Sequence, residues 1–556
     1  MIIMLKIQNW PADLSGFQPD RDDMHKSYFS GVYRDTLKDI ERDITYYTYL
    51  PEGIHHARPA LVSACPAGIH PVDFLEASGL KLLADREELY VCLFSAGRDP
   101  AYSAKIMNEI CTALIGSHLI VIVRENVYGI GFGSGAAAAL YAGMSDPELW
   151  SGIAVCGDTR GLRVPEETDE PCALPVWIVS ADRNDPLLSY WKRQNRCAEK
   201  AYTGDYADEV YCPDRNAEKR NTRNSEYGAE LRWTQDDIYV PAEWGERFWG
   251  FLRKTRKHLG LAYKDVRKVV ELRECAEEHF LMHKGYRRSW WEYVPSSLPQ
   301  GKKVPLVLML HGRRQQPEVL FDLSAINEIA EERGFIAAVM SAGVFQMYPD
   351  GINNVPLWQG CLNGESFDSV GFLREAVKDM CGRLPVDPSR IYACGFSSGA
   401  CMAGTISEKL GDVFAAVSCW SGLTSGDAIG KLTDPEDSSA FTDPGVNMPV
   451  QVIVGSEDTS FADHQGKYGL KDFMSKYIDW RVQNGKLTDH GTYVTGNLTH
   501  DVFANEQGIP VMDIILAEGM PHTVRPFECW LAYDEFLAKY TLGEDGTRYY
   551  MGKVIR

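Results

Sequence analysis

A serine between glycines stands in the stretch RIYACGFSSGACMAG, where an apolar run leads into Gly-x-Ser-x-Gly and then into small residues. This order is typical of a sharp turn from a strand into a helix, which exposes a serine hydroxyl for nucleophilic attack. Ser397 takes the nucleophile position, while Gly395 and Gly399 keep side chains out of the crowded turn. Because the following helix aims its N–H groups at the hydroxyl, the N–H of Ser398 is a candidate oxyanion donor.

A carboxylate and an imidazole follow this serine in the order Ser, Asp, His, which such a turn requires. Asp458 stands in MPVQVIVGSEDTSF, where a strand ends in a polar turn, and Glu457 is its nearest rival. His522 stands in LAEGMPHTVRP, a loop before the last helix. We expect His522 to take the Ser397 proton while Asp458 holds the imidazole tautomer, so that an acyl-serine forms and is hydrolysed.

The loop after an apolar strand is the expected source of the second oxyanion donor. His311 and Gly312 follow the strand in PLVLMLHGRR, and a backbone N–H at about Arg313 would point into the site. We interpret the His311 side chain as structural rather than catalytic. The predicted chemistry is therefore acyl transfer to and from a serine.

Aromatic and amide side chains cluster in VFQMYPDGINNVPLWQGCLNGES, residues 344–366. Loops after strand ends border the site in sheets of parallel strands. Phe345, Tyr348 and Trp358 are therefore candidate substrate contacts that would suit an aryl or sugar ester. The alternative is a loop that its own aromatics pin to the surface. Trp420, in VSCWSG, is a further candidate contact, with the hydrophobic core as its alternative.

An internal repeat relates the two halves of the chain. Residues 58–97, beginning RPALVSACP, align without a gap with residues 304–343, beginning VPLVLMLHG. Both contain a strand-like run, a loop, an amphipathic helix and a second apolar run ending in Ser-Ala-Gly, which together build a parallel sheet. The register resumes where YGIGFGSGAAAA at 128–139 matches YACGFSSGACMA at 392–403.

Two tandem domains of one α/β class follow from this repeat. A third match, between residues 237–252 and 522–537, closes each copy. A chain of 556 residues is long enough for two such cores. We expect a first domain at 1–260 and a second domain at 270–556, each with a mostly parallel central sheet flanked by helices.

The first copy lacks the residues that this chemistry needs. Gly133 stands where the second copy has Ser397, and the retained Ser134 matches Ser398, whose backbone rather than hydroxyl is used. Asp237 stands at the position of the histidine, and a Cys-Pro pair replaces His-Gly in the oxyanion loop. We expect a catalytically inactive domain, kept for packing, partner contact or substrate positioning.

The second copy resembles the α/β-hydrolase family of poly(3-hydroxybutyrate) depolymerases and of feruloyl and acetylxylan esterases, over roughly residues 290–540. The motifs that carry the resemblance are the helix DSVGFLREAV, the run VDPSRIYACGFSSG and the final GMPH. The resemblance implies two tandem α/β-hydrolase domains, with Ser397, Asp458 and His522 as the triad of the second. It also implies ester hydrolysis that needs no metal or cofactor.

Charge and hydropathy exclude several other classes of partner. The net charge of −20 argues against nucleic acid and anionic membranes, which both attract positive proteins. The one compact basic run, RKTRKH at 253–258, is expected to be the solvated end of a helix. No secretory signal or membrane-length apolar run is visible, so we expect a cytoplasmic protein with free buried thiols, with secretion by another route left open.

The function predicted from these patterns is that of a serine carboxylester hydrolase. The expected substrates are small-molecule or oligosaccharide esters of the feruloyl or acetyl type, or polyester fragments. Two alternatives stay open: a serine peptidase of the same fold, and a non-catalytic binding or scaffold protein. The first domain is a candidate surface for a homo-oligomer.

Overall fold

Long apolar runs form two large β-sheets, one in each half of the chain. The strand VPLVLML is buried along its whole length, as expected for a central strand that helices cover on both faces. The computed structural model describes residues 5–12, 16–38, 43–117, 119–160, 162–165, 172–213, 229–236, 240–259, 264–299, 301–346, 354–358, 368–424 and 448–555.

The first sheet comprises, within these residues, the strands β1 Ile7–Gln8, β2 Gly31–Leu37, β3 Ile44–Leu50, β4 Arg58–Cys65, β5 Tyr90–Ser95, β6 Ile122–Phe132, β7 Gly152–Cys156, β8 Val176–Ser180, β9 Tyr202–Thr203, β10 Glu209–Tyr211 and β11 Leu231–Gln235. Their order is β1-β2-β3-β5-β4-β6-β7-β8-β11-β10-β9. The central run from β5 to β11 is parallel. Antiparallel pairs flank it on both sides.

A two-stranded ribbon of β12 Thr255–Leu259 and β13 Lys264–Lys268 precedes the second sheet. The second sheet contains β14 Glu277–His283, β15 Tyr286–Tyr293, β16 Val304–Leu310, β17 Ile336–Met340, β20 Val386–Phe396, β21 Ala416–Trp420, β22 Val450–Gly455, β23 Thr488–Thr495, β24 Leu498–Ala504 and β25 Pro510–Ala517. Smaller sheets pair β18 Gly343–Gln346 with β19 Asn354–Leu357, and join β26 Tyr540–Leu542, β27 Arg548–Tyr550 and β28 Lys553–Val554.

The second sheet has the order β14-β15-β17-β16-β20-β21-β22-β25-β24-β23. From β2 in the first sheet and β14 in the second, the two orders correspond strand for strand. Strand β4 corresponds to β16, and β6 corresponds to β20, as the sequence repeat aligns them. Because the carboxyl ends of parallel strands meet at one edge of a sheet, the turns that follow β6 and β20 lie at equivalent places.

Helices flank both sheets. They are α1 Pro71–Ala77, α2 Leu80–Glu87, α3 Pro100–Gly116, α4 Gly135–Ser145, α5 Asp185–Gln194, α6 Pro241–Leu252, α7 Leu272–Cys275, α8 Pro317–Ser324, α9 Ile326–Arg333, α10 Ser369–Arg383, α11 Ser398–Lys409, α12 Asp472–Asn484 and α13 Pro526–Trp530. A π-helical turn at Leu531–Phe536 continues α13. Mostly parallel sheets between helices confirm the predicted α/β-hydrolase class.

The alternating faces of β16 show how the second core is built. Leu306 and Leu308 pack in a cluster with α10 and α11, whereas Val307 and Met309 pack with α8 and α9 on the opposite face. The cluster on the second face also includes Val121, which precedes β6 of the first sheet. The hydrophobic core of the second domain is therefore continuous with residues of the first.

The basic run RKTRKH is not the solvated helix end that the sequence suggested. Helix α6 ends at Leu252, and β12 then carries Arg256, Lys257 and His258 in buried positions. Arg256 Nε donates a hydrogen bond to Asp322 Oδ2 in the second domain at 2.7 Å, an ion pair that compensates for burial of both charges. The prediction was wrong because composition alone does not reveal a buried counter-charge distant in sequence.

Two further properties concern the surroundings of the protein. No helix of the described residues combines the length and the apolarity that crossing a membrane requires. The cysteines in that part of the chain are free thiols, and most of them are buried. Burial raises the pKa of the Cys65 and Cys111 thiols to about 12, so these two remain protonated at neutral pH.

Candidate active site

Ser397 occupies the sharp turn between β20 and α11. Its backbone has φ 53° and ψ −115°, outside the regions that a serine favours, which stores strain of about 1–3 kcal/mol. The Ser397 N–H donates to the carbonyl of Trp420 at 2.9 Å, which anchors the turn to β21. A Cβ at Gly395 would lie 2.1 Å from the carbonyl oxygen of Gly399, and one at Gly399 would lie 1.9 Å from that of Leu310. Close backbone contacts therefore explain both glycines of the motif.

His522 joins the serine to a buried carboxylate. His522 Nε2 lies 3.1 Å from Ser397 Oγ, and His522 Nδ1 lies 2.8 Å from Asp458 Oδ2. Since a carboxylate only accepts hydrogen bonds, Nδ1 carries the proton and Nε2 is left to accept from the serine hydroxyl. Asp458 is buried, whereas its rival Glu457 is exposed. The structure thus brings the predicted serine, histidine and aspartate together in the order that proton transfer requires.

The environment of Asp458 keeps its carboxyl group ionised. Burial alone raises its pKa, but the hydrogen bond and positive charge of His522 oppose this effect, and the N–H of Ser460 donates to Oδ1 at 2.9 Å. The net result is a pKa below the usual value for aspartate. A carboxylate that stays charged at neutral pH can orient the imidazole and stabilise its protonated form.

Two aromatic rings flank the imidazole of His522, and an arginine from the first half of the chain contacts its backbone. The rings of Phe396 and Phe461 lie 4.9 Å and 5.7 Å from the His522 ring, centroid to centroid. The carbonyl of His522 accepts a hydrogen bond from Arg124 Nη2, in strand β6 of the first domain, at 3.1 Å. About a quarter of the His522 side chain is exposed, so a ligand can reach it.

The loop after β16 is held by its own polar side chains. His311 is buried, donates from Nδ1 to the carbonyl of Gly312 at 2.8 Å, and accepts at Nε2 from the N–H of Ala342 at 3.1 Å. Burial lowers the His311 pKa to about 4, so the ring is neutral. A Cβ at Gly312 would lie 2.9 Å from Phe396, beside the catalytic turn. This geometry agrees with a structural role for His311 and brings the predicted oxyanion loop to the serine.

The two predicted oxyanion donors belong to different segments, the start of α11 and the loop after β16. Ser398 begins α11, so its N–H lies at the positive end of the helix dipole. Arg313 follows Gly312 in the loop and has an exposed side chain. Their roles as donors stay predictions.

Of the four aromatic residues predicted to contact the substrate, three belong to the part of the chain that the structure describes. Tyr348 lies outside the described residues, and Phe345 belongs to β18, where it pairs with Val355. Trp358 and Trp420 are fully buried and belong to the hydrophobic core rather than to a pocket wall. The two indole N–H groups explain why such polar-tipped rings can be buried: that of Trp358 donates to the carbonyl of His311, and that of Trp420 donates to Ser418 Oγ, both at 2.9 Å.

The corresponding turn in the first half of the chain has a similar positive φ and the same kind of backbone hydrogen bond, but a glycine at the nucleophile position. Gly133 has φ 55°, and its N–H donates to the carbonyl of Cys156 at 2.8 Å. Ser134 is exposed, and its hydroxyl accepts a hydrogen bond from the N–H of Ala67 at 2.8 Å. Asp237, at the position of the histidine, lies outside the described residues.

Three polar residues next to the site were missed by sequence reasoning: Arg124, Glu125 and Gln315. Glu125 Oε1 accepts from Gln315 Nε2 at 3.1 Å, and Gln315 Oε1 accepts from the N–H of Gly312 at 3.0 Å. One signal was available, because Arg-Glu-Asn interrupts the apolar strand run IVIVRENVYGI, and buried charges are rare unless they are paired. That signal indicates a contact without identifying the partner.

Comparisons with known proteins identify similarity to several esterases and to a depolymerase. The sequence model of the family described as Esterase PHB depolymerase matches residues 289–444. Poly(3-hydroxyalkanoate) depolymerase C of Paucimonas lemoignei is 23% identical over 253 residues, which are 42% of this chain and 57% of that protein. Feruloyl esterase B of Thermothelomyces thermophilus is 29% identical over 143 residues, which are 25% of this chain and 45% of that protein.

The chain spans about half the length of these curated relatives. Among solved structures, an acetyl xylan esterase from Aspergillus awamori is 17% identical, with 45% of this chain and 94% of that chain covered and a TM-score of 0.33. The family match includes the turn at Ser397 and the loop that precedes it. Residues 289–444 are therefore similar to the α/β-hydrolase esterase family of the poly(3-hydroxybutyrate) depolymerases.

Proposed function

We propose that the second domain is a serine carboxylester hydrolase that works through an acyl-serine intermediate. One observation carries this proposal: His522 lies 3.1 Å from the Ser397 hydroxyl through Nε2 and 2.8 Å from the Asp458 carboxylate through Nδ1. The family match over residues 289–444 supports an ester as the substrate. The strained backbone of Ser397 supports its role as the nucleophile, since such strain is concentrated at functional sites.

In the proposed reaction, Ser397 Oγ attacks the ester carbonyl while His522 Nε2 takes the hydroxyl proton. The imidazolium, stabilised by Asp458, then gives this proton to the leaving alcohol, and an acyl-serine remains. Water attacks the acyl group with His522 again as base, which releases the acid and restores the serine. The N–H groups of Arg313 and Ser398 are the proposed oxyanion donors, each worth on the order of 3 kcal/mol of barrier.

The proposed substrates are feruloyl or acetyl esters of carbohydrates, or fragments of a polyester. The names of the relatives support this range, because one is a feruloyl esterase and another a poly(3-hydroxyalkanoate) depolymerase. Apart from the buried Trp358, the segment 344–366 contains Phe345, Tyr348 and several amide side chains, which would suit an aryl or sugar group beside the ester.

The first domain, residues 1–260, is proposed to be a catalytically inactive duplicate of the second, residues 270–556. The shared strand order of the two sheets supports the duplication. The glycine at position 133 supports the loss of activity, because glycine has no side chain that could attack an ester.

Hydrolysis of a substrate panel tests this function. The full-length protein and Ser397→Ala are assayed on p-nitrophenyl acetate, p-nitrophenyl butyrate, methyl ferulate and a peptide anilide, with Ser134→Ala as the matched control. We expect ester hydrolysis by the wild type and by Ser134→Ala, and none above background by Ser397→Ala.

Three outcomes would contradict the proposal in different ways. Ester hydrolysis that persists in Ser397→Ala would show that Ser397 is not the nucleophile. Cleavage of the anilide in preference to every ester would favour a peptidase. A folded wild-type protein that cleaves none of the four would favour a binding or scaffold protein.

A further inference from the structure

Two neighbouring residues of the first domain reach the catalytic loops of the second. Arg124 and Glu125 lie near the start of β6. Arg124 Nη2 donates to the backbone carbonyl of His522 at 3.1 Å, and Glu125 Oε1 accepts from Gln315 Nε2 at 3.1 Å. One short stretch of β6 therefore contacts both the loop of the catalytic base and the loop proposed to supply an oxyanion donor.

The contact of Glu125 fixes the direction of the Gln315 amide. Both side chains are buried, and a carboxylate offers only acceptors, so the NH₂ end of Gln315 must face Glu125. The carbonyl end then faces the N–H of Gly312, which donates to it at 3.0 Å. The backbone of Gly312 is thereby held one residue before Arg313, whose N–H is the proposed donor.

Further hydrogen bonds join the same two loops to residues before position 260. His258 of β12 donates from Nε2 to the carbonyl of Val524 at 2.6 Å, two residues beyond the catalytic histidine, and accepts at Nδ1 from Arg525. On the other loop, Arg314 Nη2 donates to the carbonyl of Ser117 at 2.9 Å. Both loops are thus bonded to residues before position 260, and Val524 of the histidine loop belongs to the same hydrophobic cluster as Val121 and Val123.

We propose that Arg124 and Glu125 are positioning residues for the active site of the neighbouring domain, and that the inactive domain is retained as the scaffold that holds the two catalytic loops. Glu125 acts through Gln315 on the oxyanion loop, and Arg124 acts on the backbone of His522. This inference rests on the proposed esterase function. Its physical basis is that displacement of a catalytic group by about 1 Å lowers rates by up to about 100-fold.

Full-length variants test the role of Glu125. In Glu125→Ala, Gln315 loses the partner that orients it, and we expect kcat on p-nitrophenyl acetate to fall about tenfold while KM changes less than about twofold. Glu125→Gln keeps an acceptor oxygen and is expected to restore kcat to within about threefold of the wild type. Arg160→Ala, at an exposed first-domain arginine that pairs with Asp158, is the matched control and is expected to leave both constants unchanged.

Arg124 is tested in the same assay. Its side chain is about half exposed, so Arg124→Ala is expected to lower kcat less than Glu125→Ala does, about threefold. The Arg124→Ala/Glu125→Ala double variant is expected to lose more than either single variant. A merely structural role would lower the melting temperature of these variants without separating kcat from KM and without rescue by Glu125→Gln.

Hydrogen–deuterium exchange provides a readout that does not depend on activity. We expect the peptide that contains residues 311–316 to exchange faster in Glu125→Ala than in the wild type or in Arg160→Ala. An active wild type whose Glu125→Ala variant keeps both its kcat and its exchange rate would overturn the positioning role alone. A wild type with no esterase activity would instead overturn the proposed function, and the catalytic meaning of these contacts with it.

Discussion

Gly133 and Ser397 have nearly the same positive φ, 55° and 53°, at corresponding turns after β6 and β20. In each turn the residue's N–H donates to a carbonyl at the end of the next strand. The turn at Gly133 therefore shares this φ and this backbone hydrogen bond with the turn at Ser397, but it has no side chain that could attack an ester. Whether this turn alone can support catalysis can be tested directly, because a serine can be introduced at position 133.

Gly133→Ser is expected to fold and to remain inactive at the new position. A Cβ there would lie 3.5 Å from the nearest atoms of Pro66, so space is available, and the positive φ costs about 1–2 kcal/mol. No histidine is present between residues 182 and 258 to act as base. The measurement is ester hydrolysis by the Gly133→Ser/Ser397→Ala double variant beside Ser397→Ala, and activity of the double variant above that of Ser397→Ala would contradict the prediction.

Asp458→Asn is expected to lower kcat by about 10⁴-fold with little change in folding. The amide has the size of the carboxylate, but it can donate to Nδ1, which would leave the proton on Nε2, where it blocks acceptance from Ser397. Steady-state kinetics on p-nitrophenyl acetate measure the effect. Glu457→Gln, a change at the exposed neighbouring carboxylate, serves as the control. A larger loss of kcat in Glu457→Gln than in Asp458→Asn would show that Glu457 orients His522 instead of Asp458.

Trp358→Phe is expected to reduce stability rather than substrate affinity. The change removes the indole N–H that donates to the buried carbonyl of His311, which costs about 1–3 kcal/mol. Trp420→Phe, which loses a hydrogen bond to Ser418 Oγ, should behave in the same way. Thermal unfolding and KM for methyl ferulate distinguish the two roles. A tenfold rise in KM at an unchanged melting temperature would show that Trp358 contacts the substrate.

Lys257→Met is expected to stabilise the protein near neutral pH. Burial lowers the Lys257 pKa from 10.5 to about 8, and its ammonium group has no hydrogen-bond partner among the described residues. This shift corresponds to roughly 3 kcal/mol at pH 7. Because the Lys257 pKa is lower in the folded protein than in the unfolded chain, the destabilisation by its buried charge is complete below pH 8 and declines as the pH rises towards 10.5.

Melting temperatures of Lys257→Met and of the wild type at pH 7 and at pH 9.5 measure this effect. The gain from the substitution should be largest at pH 7 and smaller at pH 9.5. Lys254→Met, three residues earlier and exposed, is the control and should change little at either pH. A gain that is equal at the two pH values would show that the ammonium group is not the cause.

The parts of the fold and site that sequence patterns predict are those that local geometry dictates. Gly-x-Ser-x-Gly after an apolar run specifies its turn because only glycine fits against the backbones of Leu310 and Gly399. The repeat predicts the shared strand order, since each copy carries the same succession of apolar runs.

The contacts between the two halves are not encoded in any local pattern. Glu125 and Gln315 meet across 190 residues, and the carbonyl of His522 meets Arg124 across 398. Composition also cannot separate a buried aromatic from one that faces a ligand, which is why the sequence did not reveal that Trp358 and Trp420 are fully buried. The contacts between the two halves and the burial of these tryptophans both depend on which surfaces meet when the chain folds.

Covalent labelling of the full-length protein with a fluorophosphonate, read out by mass spectrometry of its peptides, tests the central claim most directly. A serine that His522 activates attacks phosphorus, whereas an ordinary surface serine does not. We expect one adduct per chain, located on Ser397, and none on Ser134 or on any residue of the Ser397→Ala variant. Absence of an adduct on Ser397 in the folded wild type, or an adduct on Ser134, would contradict the assignment of the active site to the second domain.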